Sequence, residues 1–204
     1  MLCGLALLPS QEASEALIDF RNEMSSYIGG PKLGLTENLP HVSVIQCPFD
    51  PDQLTSDEIE SILESFSFNS AMKGTFSVAT YQPVGWIFAD VVHDRWLDLL
   101  QGHALDHLKE LIADDEINLE KTFSGYSDKQ IAYYSRFGYR YIGEEYRPHV
   151  TLGRTLDGER RLAPEVVRAF SKKLAGLDFS FTRLAFYEAG ESGTFSREIA
   201  GINI

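Results

Sequence analysis

Hydrophobic positions along the chain fall into short strand-like runs separated by helical stripes. The first eight residues are almost wholly apolar. A run that short and without a basic leader reads as a buried first strand over 2–8, not as a signal peptide or a membrane span. Ser10 then supplies a helix N-cap, and Ala13, Leu17, Phe20, Met24 and Ile28 recur at helical spacing until Gly29-Gly30-Pro31 stops them. A short strand follows over 41–46, bounded by Pro40 and Pro48, and a helix over 53–65 aligns Ile59, Ile62 and Leu63. The alternation over 66–82 suits a strand or a hairpin.

The second half repeats this order. A strand is expected over 85–92, an amphipathic helix over 94–113 with Leu97, Leu100, Leu108 and Leu111, and a short strand over 149–154. Pro164 opens a helix through Leu174 that Gly176 ends, and a strand closes the chain over 178–188. Each half reads strand, helix, short histidine-led strand, helix, strand. This repeated order points to an internal duplication within a single domain over 1–204.

The halves differ in one place. Ile28 to His41 spans 13 residues, whereas Ile112 to His149 spans 37. The longer segment holds Phe123, Tyr126, Tyr133, Tyr134, Phe137, Tyr139, Tyr141 and Tyr146, interleaved with Arg136, Arg140 and Arg147. Two readings fit: a binding loop or lid whose aromatics stack on a base while arginines meet phosphate, or a tyrosine-rich hairpin packing on its own lobe.

Composition adds charge. The net charge of -12 argues against a non-specific binder of long nucleic acid. It is uneven, though: from Lys129 to Arg161 seven basic residues (129, 136, 140, 147, 154, 160, 161) face four acids (144, 145, 157, 159), locally +3. An acidic protein with one basic segment suits a small anionic ligand or one end of a longer one. Cys3 and Cys47 are too few for a disulfide framework and lack metal-site spacing, so a reducing, cytoplasmic setting is expected.

The chemistry resides in a repeated element, Pro40-His41-Val42-Ser43-Val44 and Pro148-His149-Val150-Thr151-Leu152. On a strand, residues two apart share a face. His41 and Ser43 therefore project one way and Val42 and Val44 the other, and likewise His149 and Thr151 against Val150 and Leu152. A pseudo-twofold relation would bring both imidazole–hydroxyl pairs to one cleft. Phosphodiester cleavage without a metal needs a base on the attacking oxygen, an acid on the leaving oxygen, and donors for the charged oxygens between them. Two histidines supply the first two needs near neutral pH, and two hydroxyls supply the third.

These stretches, 39–44 and 147–154, resemble the paired H-x-[ST]-x signatures of the two-histidine (2H) phosphoesterase superfamily, whose members include 2′-5′ RNA ligase-like proteins and cyclic nucleotide phosphodiesterases. The resemblance covers most of the chain, including a Gly85-Trp86-Ile87-Phe88 strand midway. It implies a bilobal α+β fold of two antiparallel sheets with outer helices and a central cleft between the lobes, His41 and His149 as the acid/base pair, and Ser43 and Thr151 as phosphate binders. It implies hydrolysis of a 2′,3′-cyclic phosphate on a small nucleotide or an RNA terminus, with no metal and no cofactor. Tyr146, Arg147 and Arg154 are further candidates for substrate binding. Strict alternation puts Arg154 on the Val150 face unless the strand ends at Gly153. The protein is expected to be a monomer that needs no membrane.

Other readings have less behind them. His103 and His107 have zinc-compatible i, i+4 spacing, but no third ligand and no H-E-x-x-H glutamate accompany them. Gly190-Glu191-Ser192-Gly193 reads as a turn rather than a nucleophile elbow, and Cys47 as a buried free thiol. Two alternatives to the hydrolase remain: a 2′-5′ RNA ligase or exonuclease acting on RNA ends, and a non-catalytic module that holds nucleotide phosphate.

Overall fold

A computed structural model describes residues 1–68, 71–82, 85–120, 125–156 and 162–204. Phe123 and the charged residues Asp157, Glu159, Arg160 and Arg161 lie outside the described residues, as do 69–70 within the expected 66–82 element. The chain is α+β: β1 (Leu2–Pro9), α1 (Gln11–Glu23), β2 (Ile28–Gly29), β3 (Val42–Pro48), α2 (Ser56–Glu64), β4 (Lys73–Tyr81), β5 (Trp86–Val91), α3 (Arg95–Leu108), α4 (Asp128–Phe137), β6 (His149–Thr155), α5 (Pro164–Leu174), β7 (Asp178–Ala189) and β8 (Phe195–Asn203).

Local chemistry accounts for several boundaries. Ser10 Oγ accepts from Ala13 N–H and opens α1, and Thr55 Oγ1 accepts from Glu58 N–H and opens α2. The first helix stops earlier than its apolar stripe. It ends at Glu23, and Ile28-Gly29 leaves the helical path to pair with Thr155 and Arg154 as β2. The 66–82 region resolves into one strand, β4, rather than a hairpin.

Two elements exceed the expectations. Part of the aromatic segment is α4, started by a capping box between Ser127 and Gln130 and closed by Gly138. The closing strand turns at 190–194 and returns as β8, a half-exposed edge strand.

The strands of the described residues pair antiparallel, in the order β2-β6-β5-β4-β7-β1-β3, with β8 also on β7. The expected pair of separate sheets is thus one connected sheet. β7 is long enough to share one edge, its start (Asp178–Ser180) pairing β4 and its later part pairing β8. Its other edge pairs β1. The two half-chains also interleave. β1 and β3 join β7 and β8, while β4 and β2 join β5 and β6. α1 packs against β6 and α3 against β3, so each motif strand leans on a helix from the other half.

Both motif strands carry a bulge at the same step. On β3 the pairing jumps from Ser43 (opposite Ala6) to Ile45 (opposite Leu5), leaving Val44 extra. On β6 it jumps from Thr151 (opposite Phe88) to Gly153 (opposite Ile87), leaving Leu152 extra. Each extra residue reverses the alternation. From Val42 and from Val150 the burial sequence is the same: buried, half-buried, two buried, half-buried, buried. Gln46 and Arg154 therefore return to the face of Ser43 and Thr151. Gly153 suits this kink, since its φ is +152° and a Cβ there would stand 2.7 Å from Gly29 O.

Among the described residues no helix is long and apolar enough to cross a membrane. Cys3 and Cys47 face each other across β1 and β3, both fully buried and unbridged. Burial pushes the Cys3 thiol up to about 11 and Cys47 well above its usual range.

Candidate active site

The strand geometry brings His41, Ser43, His149 and Thr151 to one small cleft of about 80 Å³, which Gln46, Trp86, Phe88, Tyr139, Arg140, Tyr141, Ser192 and Gly193 complete. The two histidines are held alike. His41 Nδ1 donates to Leu39 O at 2.8 Å, and His149 Nδ1 donates to Arg147 O at 2.6 Å. Each acceptor is the carbonyl two residues back, across the proline. A carbonyl can only accept, so both neutral rings carry the proton on Nδ1 and present Nε2 as a lone pair.

The ring environments differ. Tyr187 is fully buried, with its ring stacked on Phe195 (4.6 Å, 7°) and its hydroxyl 3.4 Å from His41 Nε2 and 3.3 Å from Ser43 Oγ. The consistent proton order is Ser43 to Tyr187 to His41. Burial raises the phenol's pKa, so Tyr187 stays a neutral donor. Gly4 makes room for it, since a Cβ there would fall 2.6 Å from Tyr187 Cε1. His149 instead stacks on Phe88 (3.7 Å, 18°) and meets the edge of Tyr141 at 5.2 Å.

Each histidine is only 8% exposed, and burial lowers the pKa of both. For His149 desolvation dominates and, with the positive charges of Arg147, His41 and Arg140 adding, the value falls to about 3 against the opposing bond to Arg147 O. Below pH 6.5 the unfolded chain binds protons at these positions that the folded chain refuses. Stability therefore falls as pH drops, by up to about 1.4 kcal/mol per pH unit for each histidine. The double variant His41→Gln/His149→Gln should flatten the drop in urea midpoint between pH 6.5 and 5. A wild-type slope in that variant would count against neutral, buried rings.

Three donors around the cleft have no partner among the described residues: Gln46 Nε2, the Tyr141 hydroxyl and Arg140 Nε, all buried atoms. Unpaired buried donors are costly, and three converging on one cavity fit an acceptor-rich ligand. Tyr141 is fixed from behind. Gln101, on α3 and 2% exposed, donates through Nε2 to both Val44 O and Tyr141 O at 2.8 Å, while its Oε1 accepts from Gly143 N–H at 2.8 Å. One buried side chain thus pins the 141–143 segment to the first motif strand.

The outer candidates separate. The β6 bulge turns Arg154 to the face of Thr151, where its guanidinium lies over the Trp86 ring at 5.9 Å, although Arg154 is not among the residues that line the cleft. Tyr146 and Arg147 do not line the cleft. The Tyr146 hydroxyl donates to Ser43 O at 3.3 Å. The Arg147 guanidinium holds both oxygens of Asp90 (3.0 and 2.6 Å), Thr80 Oγ1 (2.9 Å) and Gln82 Oε1 (3.3 Å), while its carbonyl orients His149.

Sequence reasoning missed Gln46, Tyr187 and the Ser192-Gly193 turn as site elements. The aromatic segment did signal Arg140 and Tyr141, although without selecting them.

A larger, mostly apolar cavity of about 430 Å³ lies between the end of α2 and α3. Its polar feature is His103 Nε2, 2.9 Å from Ser65 Oγ, but that hydroxyl donates to Ile62 O at 2.6 Å and is no activated nucleophile. His103 and His107 stand ring to ring at 4.6 Å, and no group of three possible metal ligands occurs among the described residues. Both motif histidines and both motif hydroxyls line the smaller cleft instead.

Comparison with solved structures gives the fold a reference. TT0787 of Thermus thermophilus superposes with a TM-score of 0.63 at 14% identity, covering 100% of this chain and 97% of that one. A structure described as a phosphoesterase gives 0.56 at 11% identity, covering 100% and 98%. The chain shares their fold. Usb1 of Kluyveromyces marxianus is more distant, at a TM-score of 0.48 and 12% identity, covering 99% and 96%. Residues 98–196, just under half of the chain, match a family model described as "Protein of unknown function (DUF1045)". No curated protein matches this chain.

Proposed function

We propose that this protein is a 2H phosphoesterase that opens a 2′,3′-cyclic phosphate, on a nucleotide or at an RNA end, by acid/base catalysis between His41 and His149. The observation that carries the reading is the matched presentation of the two histidines. Each has Nδ1 tied to the carbonyl two residues earlier, and each shares a face with a hydroxyl two residues later. A site that only binds phosphate gains nothing from two rings held in the same tautomer. The shared fold with a solved phosphoesterase supports the same direction.

In this mechanism the phosphate lies between the rings. One histidine Nε2 takes a proton from water as the water oxygen bonds to phosphorus. The other, protonated, gives its Nε2 proton to the ribose oxygen as that P–O bond breaks, leaving a phosphomonoester and a free hydroxyl. Thr151 and the Tyr141 hydroxyl donate to the non-bridging oxygens, where charge builds up in the transition state, and Ser43 joins them once its proton turns from Tyr187 to the phosphate. Metal and cofactor have no step in this scheme.

Burial favours the neutral form of both histidines at pH 7, yet the reaction needs one proton on the pair. An anionic phosphate between the rings favours that proton, so binding takes one up. As pH falls from 8 toward 6, kcat, which reports the phosphate-bound state, should rise, and it should fall again once the base protonates there. The test is turnover of nucleoside 2′,3′-cyclic phosphates and ADP-ribose 1″,2″-cyclic phosphate in EDTA between pH 5 and 8. A bell-shaped, EDTA-resistant profile is expected. Failure to hydrolyse any of them, with tight binding of a nucleoside monophosphate, would replace the hydrolase with a binding module.

A further inference from the structure

The first motif has a companion that the second lacks. Tyr187, on β7, is fully buried and outside the lining of the cleft, yet its hydroxyl stands behind both chemical groups of that motif, 3.4 Å from His41 Nε2 and 3.3 Å from Ser43 Oγ. In the second motif His149 stacks on Phe88 and meets the edge of Tyr141. The Tyr141 hydroxyl has no partner among the described residues, so it does not join imidazole to hydroxyl as Tyr187 does.

A phenol and an aliphatic hydroxyl each carry one proton and two acceptor sites. While His41 is neutral, with its proton on Nδ1, Nε2 can only accept. The phenol then donates to Nε2, and its oxygen takes the Ser43 proton. Once His41 is protonated, Nε2 can only donate. The phenol oxygen now accepts from the ring, its own proton goes to Ser43 Oγ, and the Ser43 proton is freed toward the cleft that this residue lines. Two hydroxyl rotations make the change, and no heavy atom moves. Both contacts are long for hydrogen bonds, so neither direction is locked.

The titratable groups packed on this relay are neutral. β1 brings Gly4 and the Cys3 thiol, β3 the Cys47 thiol, and β8 the Phe195 ring. Burial keeps both thiols protonated. Across the cleft, positive charge on His41 disfavours a proton on His149, and Arg147 and Arg140 disfavour it too. The proton taken up with the phosphate thus belongs on His41, where an acceptor oxygen stands behind Nε2.

Building on the phosphodiesterase reading, we infer that Tyr187 is a positioning residue that couples the charge of His41 to the direction of the Ser43 proton. Protonation of His41 turns the Ser43 O–H onto a phosphate oxygen. The Nε2 proton then passes to the leaving ribose oxygen as its P–O bond breaks. His41 is neutral again, the relay reverses, and Ser43 lets go of the product. His41 is the acid and His149 the base.

The experiment measures calorimetric Kd values for adenosine 3′-monophosphate at pH 6 and pH 8. It compares wild type, Ser43→Ala, Tyr187→Phe and the Ser43→Ala/Tyr187→Phe double variant, with Thr151→Ala as a control. Beside Tyr187, the Ser43→Ala penalty should be on the order of tenfold at pH 6 and near one at pH 8. In the Tyr187→Phe background it should be on the order of tenfold at both, because nothing else claims the Ser43 proton. The Thr151→Ala penalty should be alike at the two pH values. Tyr187→Phe keeps the ring and its stack on Phe195, and loss of a merely structural tyrosine would not flatten the pH dependence of another residue's penalty.

A Ser43→Ala penalty that is alike at both pH values beside Tyr187 overturns the inference, and that comparison needs no change at Tyr187. So does a penalty that still depends on pH in the Tyr187→Phe background. Imidazole nitrogen-15 spectra of the complex at pH 6 should place the proton on His41, and a proton on His149 would overturn the assignment. In the free protein at pH 8, Tyr187→Phe should shift the His41 Nε2 resonance and leave that of His149 in place. If the nucleotides are neither bound nor hydrolysed, the phosphodiesterase reading falls, while an unmoved His41 resonance is what removes the relay.

Discussion

Under the proposed mechanism, alanine in place of His149 should lower kcat on a 2′,3′-cyclic phosphate by on the order of 10²–10⁴, and alanine in place of His41 should do the same. Each substitution removes one of two proton-transfer groups and leaves the hydroxyls and Tyr141 to stabilise charge. The double variant should lose far less than the product of the two single losses, because acid and base act as one unit. Removing a ring that is buried and hard to protonate relieves acid destabilisation, so the variants should lose less stability than wild type between pH 6.5 and 5, whatever the cavity left by alanine costs at neutral pH. Steady-state kinetics beside denaturation midpoints separate the two effects. Near wild-type turnover in either single variant would end the acid/base assignment.

The second large effect is on stability and comes from a residue outside the cleft. Gln101→Leu strips partners from Val44 O, Tyr141 O and Gly143 N–H together. Leucine fills most of the volume but offers neither donor nor acceptor. At about 1–3 kcal/mol for each buried group left unpaired, the loss is on the order of 3–5 kcal/mol, read as a lower urea midpoint with little change in slope. Activity should fall as well in the variant that remains folded, because Tyr141 is then no longer pinned to β3. A change below about 1 kcal/mol would show that water replaces all three bonds.

Much of the local structure was legible because its causes are local. Ser10 and Thr55 mark helix starts through their own side chains, and Pro164 begins α5 where a missing N–H is harmless. The Ser127–Gln130 capping box that opens α4 is an equally local signal. The apolar stripe of α1 overran its end because Ile28 is buried in both readings. As a helical residue it would face the same core that it reaches from β2.

By itself the sequence determined which side chains form the repeated pairs that the fold brings together: two histidines, each behind a proline, each two residues from a hydroxyl, with an alternation that keeps valines beneath them. Such rules operate within a few residues, where strand periodicity and backbone sterics dominate. Tertiary structure alone decided what surrounds them. The bulges that turn Gln46 and Arg154 to the face of Ser43 and Thr151 depend on pairing with β1 and β5, and the tautomer-setting bonds depend on how the chain bends at each proline. Tyr187 reaches His41 from 146 residues away, and Gln101 fixes Tyr141 through a helix that supports the opposite half of the molecule. Contacts between distant segments form only when burial of the shared core offsets the entropy of closing long loops, and that balance belongs to the whole fold.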